Sequence, residues 1–332
     1  MKYRKLKLKK EFRRYCLTIL AICISFGGGW LFRGIYDKAF FEKNMKSTNI
    51  EDNTLSKNNI QNNSVAGIGP TTEKMEILAI GNSNLYSSFN PLQLWNETGI
   101  TATALAAPNT NMRLSYYLLE KSLKIEKPKL IILEVNQFFE KKELNNKDRD
   151  EKISSEKVNK ILVDNKKVKV KDTLLKTRGY YYSDKVVKYR NGFRYMNKNV
   201  KSERVNKHVN SYLESFINLA REKDCKILFV SFPSATSWNY KRHSIVNNYA
   251  IKYEIPYIDF NANQYDTQFN WQTDTRDAGN HLNHSGATKM THFLATYLQK
   301  NYIFNDFRNN QLYKHWNEEY RDFMDYISNI TI

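Results

Sequence analysis

Two rhythms of apolar positions run along the C-terminal three quarters of this chain. Short unbroken apolar runs, Glu76–Ile80, Thr101–Leu105, Leu130–Val135, Lys226–Ser231 and Pro256–Phe260, read as strands buried on both faces. Between them the spacing turns helical: Met112–Lys124 through Leu114, Tyr117, Leu118 and Leu123, then stretches near 202–222, 242–252 and 287–298. Strands alternating with helices of this length predict an α/β fold, a three-layer α/β/α sandwich around a mostly parallel sheet. A last segment, Asn305–Ile332, reads as an amphipathic helix through Leu312, Trp316, Tyr320 and Phe323, expected to pack on the sheet.

The alternation breaks from Phe138 to about Val200, a long insertion with aromatic clusters at Tyr180, Tyr181 and Tyr182 and at Phe193 and Tyr195. An insertion at the carboxyl end of a strand lies on the ligand side of such a sheet, so it reads as a lid or substrate platform. The tyrosines suit either sugar stacking or packing of the insertion itself.

Upstream, residues 1–14 carry eight Lys/Arg against one Glu, and residues 15–32 carry no charge. An apolar stretch of this length behind a basic run predicts a single-pass anchor over 15–33, with a cytoplasmic N-terminus and the remainder outside. A cleaved signal peptide and a lipid-modified Cys23 are the competing readings. Residues 34–73, rich in Asn, Ser and Lys, read as a linker, 74–302 as the folded domain and 303–332 as the tail. Three cysteines, two of them in the apolar segment, do not form a disulfide framework.

The formal charge of +18 is uneven. Residues 1–14 hold net +7 and residues 141–207 net +12, which leaves the rest of the chain near neutral. A basic segment beside a site suggests an anionic partner, against the plainer reading of a solvated insert. No nucleic-acid motif appears, and no nucleic-acid partner is expected.

Candidate chemistry gathers at two places. The first strand ends at Gly81-Asn82-Ser83-Asn84, where a serine leaving a buried strand exposes its hydroxyl at the carboxyl edge. Near the end of the domain, Asp277-Ala278-Gly279-Asn280-His281 runs into a helix start. A serine needs an imidazole to take its proton, and the imidazole needs an acid to fix its tautomer. Ser83, His281 and Asp277, with Asp274 as the other acid in reach, fit those roles. His281, His284 and His292 lack a standard zinc spacing, so no metal and no cofactor are expected. Trp238, after the fourth strand, reads as either a pocket wall or a core anchor.

Gly81-Asn82-Ser83 after the first strand, with Asp277 and His281-Leu282-Asn283-His284-Ser285-Gly286-Ala287-Thr288-Lys289 before the last helix, resembles the SGNH/GDSL hydrolase superfamily. The likeness is greatest to its membrane-anchored bacterial branch and covers about residues 74–300. It implies a flavodoxin-like sandwich with Ser83 as nucleophile, His281 as base and Asp277 as acid. It also implies an oxyanion hole of the Ser83 and Asn109 backbone N–H groups and the Asn136 side chain, with Asn84 near the substrate. Three departures stand out: Asn84 in place of a His, Asn109 in place of a Gly, and an acid four rather than three residues before the His. Asn109 keeps the backbone donor if it takes the left-handed conformation that Asn tolerates.

The activity implied is that of an extracytoplasmic esterase or O-acyltransferase on acyl esters, with acetyl expected, of a cell-surface polysaccharide or cell-wall polymer. A membrane acyltransferase partner fits the anchored architecture. The alternative is a catalytically inactive protein of this fold that binds or assembles in polysaccharide biogenesis.

Overall fold

The computed structural model describes residues 73–140, 177–198, 203–262 and 265–330, with positions 158, 160, 161, 168–170 and 173–175 between them. The expected basic tail, membrane anchor and nearly all of the linker lie outside the described residues. Among those described, no helix is long and apolar enough to cross a membrane.

Among the described residues seven strands occur in chain order: β1 Ile77–Gly81, β2 Ala102–Ala106, β3 Leu130–Glu134, β4 Val168–Val170, β5 Thr173–Leu175, β6 Lys226–Ser231 and β7 Tyr257–Asp259. Five form one sheet in the order β2-β1-β3-β6-β7, and every pairing is parallel. β4 and β5 form a separate antiparallel hairpin within the insertion. Apart from end residues such as Glu134 on β3 and Lys226 and Ser231 on β6, the central strands are apolar because helices cover both faces. Chain order reverses at β1, which sits between β2 and β3, so the crevice at its carboxyl end is the switch point where such sheets bind ligands.

The fully described α-helices are α1 Ser83–Ser88, α2 Pro91–Thr98, α3 Met112–Ser122, α4 Lys207–Glu222, α5 Tyr240–Tyr253, α6 His284–Asn301 and α7 Lys314–Ile330. Each of α1 to α6 starts at an asparagine, Asn82, Asn90, Asn111, Asn206, Asn239 or Asn283, whose side chain accepts a first-turn backbone N–H. Asparagine is among the best residues for satisfying such orphan donors, so these caps place the helix starts. Side chains of α3, α4 and α5 pack with Leu78, Ile80, Ile131, Leu133 and Phe229 on one face of the sheet. Those of α1, α2 and α6 pack with Ile77, Ala79, Leu130, Ile132 and Val230 on the other. Each Leu, Ile, Val or Phe among them, fully buried, contributes roughly 1.5–3 kcal/mol.

The tail does not lie on the sheet as its pattern suggested. Both faces are already covered, so α7 packs outside α2, where Trp316 packs tilted against Trp95 and Tyr313, just before α7, stacks on it. Buried Arg178 from the insertion lies 3.7 Å over the Trp316 ring and pairs with Glu319 at 2.6 Å. Phe138 and Phe139, placed in the insertion by the sequence pattern, are buried in a short 3-10 turn, Asn136–Phe139, and belong to the core.

Candidate active site

Ser83 is the first residue of α1, directly after the Asn82 cap. The turn from β1 into this helix is tight. A Cβ on Gly81 would come 2.6 Å from the Glu134 Cβ and 2.8 Å from the Leu85 Cβ, so only glycine fits. Capping by Asn82 therefore aims the Ser83 hydroxyl out of the carboxyl edge.

His281 reaches that hydroxyl from a loop 198 residues away, with Nε2 2.8 Å from Ser83 Oγ. Its Nδ1 lies 2.5 Å from Asp277 Oδ2, while Asp277 Oδ1 accepts the backbone N–H groups of His281 at 2.7 Å and Asn280 at 3.1 Å. The four-residue spacing works because Ala278 and Gly279 both take left-handed φ values, 59° and 97°. Two such residues in succession fold the chain back, so the carboxylate faces the ring. Burial pushes the Asp277 pKa up, but the hydrogen bonds from the His281 ring and backbone outweigh it and hold the carboxyl below its usual range. Asp274, the other acid in reach, is buried and spoken for: Lys289 pairs with it at 2.7 Å, and Ser285 and Thr273 donate to it.

The insertion supplies a strap. Val187 N–H donates to Thr275 O and the Thr275 hydroxyl donates back to Val187 O, Tyr189 N–H donates to Trp271 O, and Tyr181 N–H donates to Tyr86 O. Residues 181–189 thus run from α1 along the histidine loop and tie the two halves of the site together. Tyr180 is buried and reaches His284 Nδ1 at 3.1 Å, and Tyr182 packs on His284 and Phe323. Those two tyrosines pack the insertion. Tyr181 is exposed, with the Arg276 guanidinium 4.8 Å from its ring centroid.

Arg276 was not visible in the sequence pattern. It donates to Leu282 O at 2.9 Å and to Ser87 Oγ at 2.7 Å, and Ser87 in turn donates to Ser83 O at 2.6 Å. This chain links the histidine loop to the nucleophile's helix. Tyr86, one turn along α1, also borders the site; burial raises its phenol pKa, against offsets from Arg276 and the Ser83 hydroxyl.

Asn109 takes φ 55°, the left-handed conformation expected of it, and is exposed. Asn136 is buried at the start of the 3-10 turn that follows β3, its Oδ1 accepting from Arg242 Nη1 at 3.2 Å. Arg242 is braced by Glu203 at 3.1 Å, by Ser237 O at 2.6 Å and by the Phe139 ring. With Oδ1 occupied, the amide N–H₂ of Asn136 is the side left to donate. Asn84 is buried with Nδ2 3.4 Å from Ser237 Oγ.

Trp238 is a core anchor and not a pocket wall. It is 3% exposed, its Nε1 donates to Asp259 and its ring meets the Phe139 edge. The other two histidines of the C-terminal segment have separate partners, His284 with Tyr180 and His292 with Glu97.

No family model matches this sequence, and no curated protein matches it. Solved structures do resemble it. A lipolytic protein assigned to the G-D-S-L family from Desulfitobacterium hafniense is 13% identical, with TM-score 0.39, over 67% of this chain and 99% of that one. A lipase/acylhydrolase from Enterococcus faecalis is 9% identical, with TM-score 0.38, over 68% and 96%. A GDSL-like lipase from Bacteroides thetaiotaomicron is 9% identical, with TM-score 0.37, over 70% and 91%. At these identities and TM-scores the likenesses bear no weight for activity.

Proposed function

We propose that this chain is a serine hydrolase or acyltransferase of the SGNH/GDSL kind, acting on ester-linked acyl groups. The observation that carries this reading is the unbroken relay from Ser83 Oγ through His281 to Asp277, at 2.8 and 2.5 Å. In that relay His281 Nε2 takes the Ser83 proton as Oγ attacks the ester carbonyl, and Asp277 stabilises the imidazolium. The tetrahedral oxyanion meets the Ser83 backbone N–H, the Asn136 amide and the Asn109 backbone N–H, a set of donors whose members each count for about 10²–10³ in rate. His281 then returns the proton to the departing alkoxide, and an acyl group remains on Ser83. Water or a sugar hydroxyl, activated by the same imidazole, releases it.

Hydroxyl and amide groups crowd the rim: Ser234, Thr236 and Ser237 all donate to Asn280 Oδ1. Such a polar border favours a small acyl group, acetyl foremost, on a hydroxyl-rich polymer. The basic N-terminal run and the apolar stretch after it favour a membrane-anchored protein whose site faces away from the cytoplasm. A cell-surface polysaccharide or cell-wall polymer is then the substrate, and a membrane acyltransferase is a partner consistent with that setting.

The full-length chain in mild detergent, incubated with p-nitrophenyl acetate and a serine-directed phosphonate, tests the chemistry. Turnover together with an adduct on Ser83 is the expected result. No turnover and no adduct would leave a protein of this fold without its activity. Faster product release with an added polysaccharide acceptor would favour transfer over hydrolysis.

A further inference from the structure

Beneath the site lies a carboxyl group that the reaction as written does not use. Glu134, the last residue of β3, is fully buried, and its Oε1 accepts the backbone N–H of Asn136 at 2.8 Å. The backbone N–H of Asn82 also faces the carboxyl. Its Cβ packs against Gly81, the glycine before the nucleophile's turn. One side chain therefore touches both segments that must be in register: the turn that presents Ser83 and the loop that presents the Asn136 amide.

Among the described residues, the second oxygen, Oε2, is buried without a hydrogen-bond partner. An ionised carboxylate there would be a buried charge with one bare oxygen and no cation, an arrangement costing several kcal/mol. Among the described residues, the charged or titratable groups that act on it are Glu140 after the 3-10 turn and Tyr257 on β7, and neither is a cation. From the β1 side it meets Gly81 and the Asn82 backbone, neither of which titrates.

We propose that Glu134 is a positioning residue, held as a neutral carboxylic acid, that sets the distance between the Ser83 turn and the Asn136 oxyanion donor. This rests on the reading of the site as an acyl-transfer centre. Neutrality matters to that role, because a carboxylate at this place would repel the negative charge that develops on the substrate oxygen. Burial raises the acid to about 8, against the backbone N–H groups of Asn136 and Asn82, which favour the ionised form. The site then loses its neutral support in mild alkali.

Two variants of the full-length chain, E134Q and E134L, test the assignment with p-nitrophenyl acetate from pH 6 to 10. Glutamine keeps the acceptor and the neutrality. Leucine keeps the volume and removes the acceptor. In E134L kcat should fall by roughly 10²-fold with KM within about twofold, as for a lost oxyanion donor, while E134Q recovers most of the activity. Wild-type kcat should also decline above a pH of about 8, and E134Q should lack that decline.

Infrared spectra provide a readout apart from turnover: a protonated carboxyl band at neutral pH in wild type that is weaker in E134Q, where among the described residues only Glu126, raised by burial to about 7, still contributes. An unchanged kcat in E134L, an E134Q as impaired as E134L, an alkaline decline shared by E134Q, or a band no weaker in E134Q than in wild type would each overturn the proposal. A wild-type chain with no turnover and no phosphonate adduct would instead sink the acyl-transfer reading. The infrared band would then still report whether the acid is neutral.

Discussion

The carboxyl edge of the sheet holds two Asp–His pairs, each with a serine beside it, and only one is arranged for catalysis. In the first, the imidazole stands between acid and hydroxyl: Asp277, then His281, then Ser83. In the second the acid stands in the middle, with His243 Nδ1 2.6 Å from Asp259 Oδ2 and Ser231 Oγ 2.6 Å from Asp259 Oδ1. A serine that donates to a carboxylate has its proton held by a weak base and gains no nucleophilicity. Asp259 also accepts from Trp238 Nε1 and from the backbone and side chain of Asn261. Burial works against its charge, but the His243, Ser231 and Asn261 hydrogen bonds hold its pKa below the usual range. The same three residue types thus make a relay in one place and a rivet between β6, β7 and α5 in the other. What separates them is the order of contact and the exposure, since Asp277 is 37% exposed and Asp259 only 1%.

That contrast breaks most sharply at the nucleophile. Ser83→Ala or His281→Ala should lower kcat by roughly 10⁶-fold in an ester assay, whereas Ser231→Ala should leave kcat within about twofold. Equal losses at both serines would abolish the distinction. The acids come next. Asp277→Asn should cost about 10⁴-fold in kcat with little change in melting temperature. Asp259→Asn should do the reverse, with kcat nearly kept and stability lowered by about 3–5 kcal/mol in denaturant unfolding, because it breaks a buried pair. The sign with pH follows. Asp259 is depressed in the folded state, so its contribution is present above about pH 4, the unfolded value, and fades as pH falls through the folded one. The stability gap between Asp259→Asn and wild type should therefore narrow in acid.

Smaller effects sharpen the picture. Asn136→Ala should lower kcat by about 10²–10³ at nearly constant KM. Glu134 runs opposite to both aspartates: its folded value of about 8 lies above the unfolded one, so folding takes up a proton between roughly pH 4 and 8. Stability should fall with rising pH across that window by up to about 1.4 kcal/mol per unit, and Glu134→Gln should flatten the slope. A wild type without that slope would place the ionised form in the core.

Much of the fold was legible because its signals are local. Ile77–Ile80 and Leu130–Leu133 are apolar without interruption, and in a chain that alternates them with helices only a doubly covered strand uses such runs. Ser83 and the Asp277–His281 segment also stood out, since each lies at an abrupt switch from apolar run or turn to helix. The short helices α1 and α2 did not, because six and eight residues show too little periodicity; their asparagine caps were the signal available. Trp238 was ambiguous because an indole suits a pocket or a core equally, and what decided was a buried carboxylate 21 residues away.

By itself, then, the sequence determined the alternation of buried strands and covering helices, the capped helix starts and the residue types able to run acyl chemistry. Pattern and capping are properties of neighbours along the chain, and neighbours can be read in order. The tertiary structure alone decided which aspartate meets which histidine, that Arg242 turns the Asn136 amide, that the tail lies on α2, and that Glu134 is sealed with one oxygen bare. Those outcomes depend on distances of a few ångströms between segments up to two hundred residues apart. Such distances follow from how whole layers pack, which no local stretch encodes.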